Sequence, residues 1–248
     1  MKTKLIHEVR AVKNKKELAN IVRAQRVREK VLDDTLKYLR TGVTESAAAE
    51  FVTKKFRKYK APILAFSPII SFGKNTANIH HEPGKTKLKR GDIIMFDFGC
   101  TVNHYCSDMT RTYFWGEPSA KQKKIYESVL KAMDLAMQKI KRGERRAKII
   151  DKVARDFLKK KFKIKKTLQS TNGFAHRLGH GVGTVIHEWP NFGPTSTDSL
   201  PTGSVMTIEP GLYFKGFGGV RIEDMVLITK KGYKNLTKVA KNLDSVIL

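Results

Sequence analysis

Cysteine is almost missing from this sequence: Cys100 and Cys106 are the only two among 248 residues. Two thiols cannot frame a disulfide scaffold, so reduced cysteines are expected. No stretch of 18 uninterrupted apolar residues occurs, which argues against a membrane-spanning helix. The opening residues, Met1-Lys2-Thr3-Lys4-Leu5, are basic but lead into a mixed, charged sequence instead of an apolar core. A secretory signal is therefore not expected, and a cytoplasmic protein is. No linker rich in Pro, Gly or Ser divides the chain, so one domain over residues 1–248 is expected.

Acidic residues are also scarce. Only 23 Asp and Glu face 49 Lys and Arg, a formal charge of +26. Such a field draws polyanions, and non-specific nucleic-acid binding at low salt follows from it. The cations are nevertheless spread along helical stretches such as "KKFRKYK" (residues 54–60) and "FLKKKFKIKK" (residues 157–166), with no nucleic-acid module around them. A solvated, lysine-rich surface is the simpler reading.

Hydrophobic residues make up 40% of the chain, enough for a sizeable core, and they are periodic. Residues 16–41 read as an amphipathic helix, with Leu18, Ile21, Val22, Val27, Val31, Leu32, Leu36 and Leu39 mostly at steps of three and four, ended by Gly42. A second helix follows over 45–59, then the extended segments "PILAFSPIISF", "DIIMFDFG" and "YCSDMTRTYFW". Ser119-Ala120-Lys121-Gln122 is a capping-box pattern that opens a helix to about 141, and after Gly143 another runs to about 163. A Gly- and His-rich loop precedes two more strands, "SVMTIEPGLYF" and "GVRIEDMVLIT". Helix, helix, strands thus occurs twice. That order predicts two halves about an approximate twofold axis, each presenting a hairpin to one central cleft.

The few acids sit in unexpected places. Asp97 ends the apolar run Ile93-Ile94-Met95-Phe96, and Asp108 lies in the next strand-like stretch. A buried, unpaired carboxylate is costly or gives up its charge. Alternation along a strand places Ile93, Met95 and Asp97 on one face, and a turn over Val102 to Tyr105 brings Asp97 and Asp108 opposite one another. Glu209 and Glu223 occupy matching places in the second half. Two facing carboxylates repel unless a proton or a cation lies between them. Two divalent cations would neutralise all four, and an oxygen-rich set with one imidazole suits an ion such as Mn²⁺. His180, between Gly179 and Gly181, is the imidazole candidate. Taken singly, a strand Asp is more often hydrogen-bonded than a ligand, and His176, His180 and His187 read as surface or core residues. Their pairing in matching elements favours a two-metal hydrolase.

The stretches "NTANIHHEPG", "FDFG", "YCSDMTRTYFWGEPS", "GHGVGTVIHEWP", "TIEPGLY" and "GVRIED" resemble the metallopeptidases of the methionine aminopeptidase and prolidase superfamily, from about residue 10 to the C-terminus. "SDMTRT", "HEWP" and "GVRIED" are most similar to the Xaa-Pro branch, aminopeptidase P and prolidase. The resemblance implies an α+β pita-bread fold, two αα-ββ halves around a curved, mostly antiparallel sheet. It implies a dinuclear centre in which Asp97 chelates one ion, Asp108 and Glu223 bridge, and His180 and Glu209 complete the other. Two divalent ions are the implied cofactors, Mn²⁺ foremost, with Co²⁺, Zn²⁺ or Fe²⁺ as alternatives.

The implied reaction is attack of a metal-bridging hydroxide on the peptide bond before proline. Glu209 would shuttle the proton, His187 would donate to the tetrahedral intermediate, and His80 would contact the substrate near the scissile bond. His81 is expected to point the other way in an extended segment. His176 would line the proline-side pocket and Arg221 would support an active-site carboxylate. Proline-containing peptides or protein N-termini are the implied substrates, and a homodimer is among the implied partners. A methionine aminopeptidase and a non-catalytic nucleic-acid- or protein-binding relative are the alternatives. Three departures from the family stand out. The N-terminal domain usual in Xaa-Pro peptidases is expected to be absent, and Thr184-Val185-Ile186 replaces a Gly/Leu-type sequence. Asn103-His104 replaces a more usual Asp-Gly, which predicts a wider turn because His enters the left-handed region less readily than Asn.

Overall fold

The computed structural model describes residues 2–164 and 172–248. The last two lysines of "FLKKKFKIKK", Lys165 and Lys166, lie outside the described residues. A helix that the sequence pattern does not announce, α1 (Lys2–Ala11), comes first. The long helix α2 (Lys15–Tyr38) starts at Asn14, whose side chain accepts from the Lys16 and Glu17 amides while Glu17 caps in return. It stops at Tyr38, short of Gly42, because Leu39 is already extended. Helix α3 (Glu45–Lys58) packs against it, capped by Thr44. In the second half, α4 (Ala120–Lys141) opens with the expected Ser119–Gln122 capping box, and α5 (Ala147–Phe162) packs on α4. Helices α2 to α5 each bury one stripe, in α4 Ile125, Val129, Ala132, Met133, Ala136 and Ile140.

Between the helix pairs lie β1 (Ile69–Phe72), β2 (Ile93–Asp97), β3 (Thr101–Val102), β4 (Tyr105–Cys106) and β5 (Thr110–Phe114). Most of "PILAFSPIISF" is therefore loop, and "YCSDMTRTYFW" divides into two strands. After α5 come β6 (Asn172–Gly173), β7 (His180–Gly181), β8 (Glu188–Asn191), β9 (Val205–Ile208), β10 (Gly211–Phe214), β11 (Gly218–Arg221), β12 (Asp224–Thr229) and β13 (Gly232–Asn235). The sheet orders are β1-β2-β5, β11-β10-β6, β13-β12-β9-β7-β8 and β3-β4, and every strand pairing within them is antiparallel. Strand β2 is buried on both faces, which explains its nearly unbroken apolar run. Ile94 and Phe96 join the main core, whereas Met95 packs with Ala175 and Tyr213 toward the second half.

The turn between β3 and β4 is tight, contrary to expectation. Val102 pairs with Tyr105, and both central residues take positive φ, Asn103 at 48° and His104 at 68°. Two left-handed residues match the twist of a two-residue hairpin. The Asn103 amide also donates to Asn20 of α2 at 3.0 Å, which holds the turn against the helix.

Candidate functional site

In each half an antiparallel strand pair comes apart at the same end, and the acids sit at that parting. Asp97 is the last residue of β2 and pairs with Thr110, so Asp108 lies just outside β5 instead of directly across from Asp97. In the second half Ile208 pairs with Asp224, which puts Glu209 and Glu223 immediately beyond the ladder. Where the ladder ends, a side chain is no longer bound to the pleat's alternation and can turn inward. The halves are joined there: the Glu223 amide donates to the Thr110 carbonyl at 3.1 Å, and the Thr112 hydroxyl donates to the Arg221 carbonyl at 2.8 Å.

His180 lies in strand β7 and not in the loop expected for it. Its Nδ1 donates to the Gly181 carbonyl at 3.0 Å, which directs Nε2 toward the acids. Nε2 stands 3.3 Å from Glu209 Oε1 and 3.6 Å from Asp108 Oδ2. One ligand atom each from Asp108, His180 and Glu223 lies within 4.8 Å of the others, and all three residues are buried. Gly179 permits the approach, since a Cβ there would stand 2.2 Å from the Thr207 carbonyl oxygen. Asp97 belongs to the same pocket but is tied off from that trio, its Oδ2 accepting from Arg221 at 2.5 Å.

Burial dominates the electrostatics. It raises Asp108 well above the carboxylate range, with the neighbouring Asp97 charge pushing the same way, and it raises Glu223, with Asp108 beside it. Burial also works against charge on Glu209 and His180. Their mutual hydrogen bond and attraction overcome it, holding Glu209 at about 2 and lifting His180 to about 9. Asp108 and Glu223 are thus biased toward protonation, while His180 stands against Glu209 and Arg221 against Asp97. Two buried carboxylate oxygens, Asp97 Oδ1 and Glu223 Oε1, still have no hydrogen-bond partner. Orphaned, crowded carboxylate oxygens with one well-aimed imidazole fit divalent cations better than they fit protons.

Two threonines that no sequence motif marks support the cluster. Thr110 donates to Glu223 Oε2 at 2.8 Å and accepts from Arg221 Nε at 2.9 Å. Thr207 donates to Glu209 Oε1 and accepts from the His180 amide, both at 3.0 Å. Each threonine lies two residues from a candidate ligand, Asp108 or Glu209, and that strand spacing was the available signal. Tyr213 connects Arg221 to His176, with 2.8 Å on each side. His176 also donates from Nδ1 to the Arg177 carbonyl at 2.7 Å. Both its ring nitrogens are thereby engaged, and burial lowers its pKa to about 4, so it is neutral near pH 7.

The cluster lies in a cavity of about 1140 Å³. Phe66, Pro68 and Ile69 line one side, and the 191–198 segment lines another. His80 and His187 reach it, and the His187 ring lies edge-on to His180 at 4.4 Å between centroids. Residues 79–80 form a turn instead of the extended segment expected. Next to His80, His81 donates to Glu45 at 2.8 Å. The fully buried Glu45 carboxylate also accepts from the Phe72 amide at 2.8 Å, the Asn75 amide group at 3.0 Å and the Gly84 amide at 3.1 Å. One carboxylate on α3 thus secures the segment that carries His80. Glu45→Ala is expected to destabilise the protein by roughly 3 kcal/mol, because a buried donor left unpaired costs about 1–3 kcal/mol. Denaturant unfolding checks this, and an unchanged midpoint would refute it.

Lys54, Arg57 and Lys58 of α3 and Lys159, Lys160 and Lys161 of α5 are exposed, while Phe56 faces the core. Among the described residues no helix is long and apolar enough to cross a membrane.

Residues 19–230 match metallopeptidase family M24. The chain is 38% identical over 236 residues to an uncharacterized peptidase of Staphylococcus aureus (strain USA300), covering 95% of this chain and 65% of that relative. It therefore spans slightly less than two thirds of that protein's length. Among solved structures it is similar to an X-Pro aminopeptidase from Thermotoga maritima, with TM-score 0.90 and 32% identity over 99% of this chain and 67% of that one. A prolidase from Pyrococcus furiosus gives TM-score 0.86 and 37% identity over 96% and 68%.

Proposed function

The chain belongs to metallopeptidase family M24 and has its pita-bread fold, and from that premise we propose that it hydrolyses the peptide bond before proline. The convergence of Asp108, His180 and Glu223 ligand atoms within 4.8 Å, inside a cavity large enough for a peptide, carries this reading. Asp97, Asp108, His180, Glu209 and Glu223 would hold two divalent metal ions. Bound there, the ions would offset the carboxylate charge, acidify a water and polarise the scissile carbonyl.

The side chains do the rest. Glu209, held ionised beside His180, accepts the proton of the attacking water and delivers it to the departing proline nitrogen. His187 donates a hydrogen bond to the oxygen that becomes negative in the tetrahedral intermediate. His80 contacts the substrate near the scissile bond, and His176 borders the proline side. Arg221 fixes Asp97 through a charge-assisted bond and, through Tyr213, fixes His176. A bond before proline is a tertiary amide without N–H. A pocket that grips the carbonyl from a histidine and a charged centre needs no such donor, which suits the proposed substrate.

The test is hydrolysis by Mn²⁺- or Co²⁺-loaded protein of Xaa-Pro, Xaa-Pro-Xaa and Met-Ala-Ser peptides, with Asp97→Ala as control. Cleavage of the first or second by wild type alone is expected. Release of Met from the third would instead identify a methionine aminopeptidase, and failure on all three would sink the enzymatic reading.

A further inference from the structure

His187 is followed directly by Glu188, the first residue of β8, and the two side chains have separate surroundings. His187 lies in the cavity lining, while Glu188 is buried outside that lining. Its carboxylate is folded into the turn that brings the chain to His187: Oε1 accepts from the Val185 amide at 3.2 Å and from the Thr184 hydroxyl at 3.3 Å. It lies against the Gly183 α-carbon so closely that a Cβ there would meet Oε2 at 2.3 Å. A side chain at 183 would push that carboxylate out of the place it holds in the turn.

The countercharges come from far away in sequence. Lys13 Nζ donates to Glu188 Oε2 at 3.0 Å and to the Arg10 carbonyl at 2.8 Å, with its side chain only 2% exposed. Arg10 donates to Glu188 Oε1 at 2.6 Å and to Thr184 Oγ1 at 3.1 Å. The backbone here is fixed as well, the Lys13 amide donating to the Gly203 carbonyl at 2.9 Å and Val12 bridging Ser204. Both cations precede residue 19, where the family match begins. Burying a lysine and a glutamate together seldom adds net stability compared with apolar residues of the same shape. Its value lies in fixing geometry.

We propose that Lys13, assisted by Arg10, is a positioning residue for His187, acting through Glu188 as a latch on the back of the Gly183–Glu188 turn. This rests on the role given to His187 above. Loss of the latch lets the turn relax and moves the His187 ring from its place beside His180. A hydrogen-bond donor displaced by about an ångström loses on the order of a hundredfold in rate while substrate binding elsewhere in the cavity is unaffected.

The test compares wild type with Lys13→Met, Lys13→Arg and Arg10→Met in the full chain, loaded with diamagnetic Zn²⁺ for NMR and with Mn²⁺ for kinetics, together with His187→Ala and the Lys13→Met/His187→Ala pair. The first readout is the NMR signal of the His187 ring, identified by its absence in His187→Ala. It should move in Lys13→Met, return toward wild type in Lys13→Arg, and move less in Arg10→Met, whose side chain is partly exposed. In kinetics on an Xaa-Pro peptide, Lys13→Met should lower kcat by about tenfold or more with KM nearly unchanged. It should add little once His187 is already Ala, since coupled residues are non-additive.

An unmoved His187 signal, or an equal kcat loss with and without His187, would overturn the latch. Should Lys13→Met fail to fold, Arg10→Met leaves the core intact and decides the same point through the ring signal. A wild type that cleaves no proline peptide defeats the functional reading, whereas the ring signal still decides the latch.

Discussion

Asp108→Asn is expected to abolish peptide hydrolysis while making the metal-free protein more stable. The two effects have one cause. In the folded chain Asp108 is buried beside Asp97, with Glu209 and Glu223 close by, and its charge is held there only at a cost. An amide of the same shape removes that cost, so the chelated variant should unfold at a higher temperature than chelated wild type. The same change removes a ligand oxygen from the cluster. Activity of the metal-loaded enzyme on an Xaa-Pro peptide should fall by about a thousandfold or more, the scale seen when a charge-stabilising group at the reacting centre is lost. Calorimetry and a peptide assay on one preparation check both. A variant less stable than wild type without metal would mean that Asp108 serves the fold and not a cation.

Metal-free wild type should lose stability as pH rises, and divalent cations should remove most of that loss. Asp108 and Glu223 have folded pKa values above those of the unfolded chain, through burial first and then the charge of Asp97 on Asp108 and of Asp108 on Glu223. The folded state therefore holds more protons, and stability falls as pH climbs from about 4 through the raised values. His180 adds to the slope. Although burial opposes its charge, Glu209 lifts it to about 9, so its contribution is complete below about 6.5 and vanishes as pH passes 9. Glu209, held at about 2, contributes stability that is lost only in acid, as pH falls toward 2. Thermal unfolding in chelator at about pH 5 and about pH 8 should give a lower Tm at the higher pH. Adding Mn²⁺ at a hundredfold excess over Kd should raise Tm by roughly 5–10 °C, and one fixed Mn²⁺ concentration should act more strongly at the higher pH, where fewer protons need to be displaced. A Tm indifferent to both pH and metal would rule out a shared cation centre.

Much of this molecule is legible in its sequence alone. The Ser119 box, the apolar steps of α2 and the repeated order of elements mark helices and the two halves, and the Asn14 box is a further local signal of the same kind. Such features are local, because caps and amphipathic stripes depend on neighbours within a few residues. The acids stood out for a similar reason, as charges set at the ends of apolar runs. Strand limits were harder to read. "SVMTIEPGLYF" divides at Glu209-Pro210 and "GVRIEDMVLIT" at Ile222-Glu223, so that both glutamates leave the ladder. No sequence period marks a parting between strands, since it depends on what each strand pairs with.

The sequence by itself determined which chemistry is available: four carboxylates, a histidine between glycines, and a helix-rich chain with two matching halves. The tertiary structure decided which of these groups meet. It drew Asp108, His180 and Glu223 into one cluster, assigned Arg221 to Asp97 and Glu45 to His81, and placed Lys13 behind Glu188 across 175 positions of chain. The reason is physical. A residue's type fixes what it can bond or ionise, but its pKa and its partner depend on burial and on charges brought near by folding, and neither is written in the neighbouring sequence.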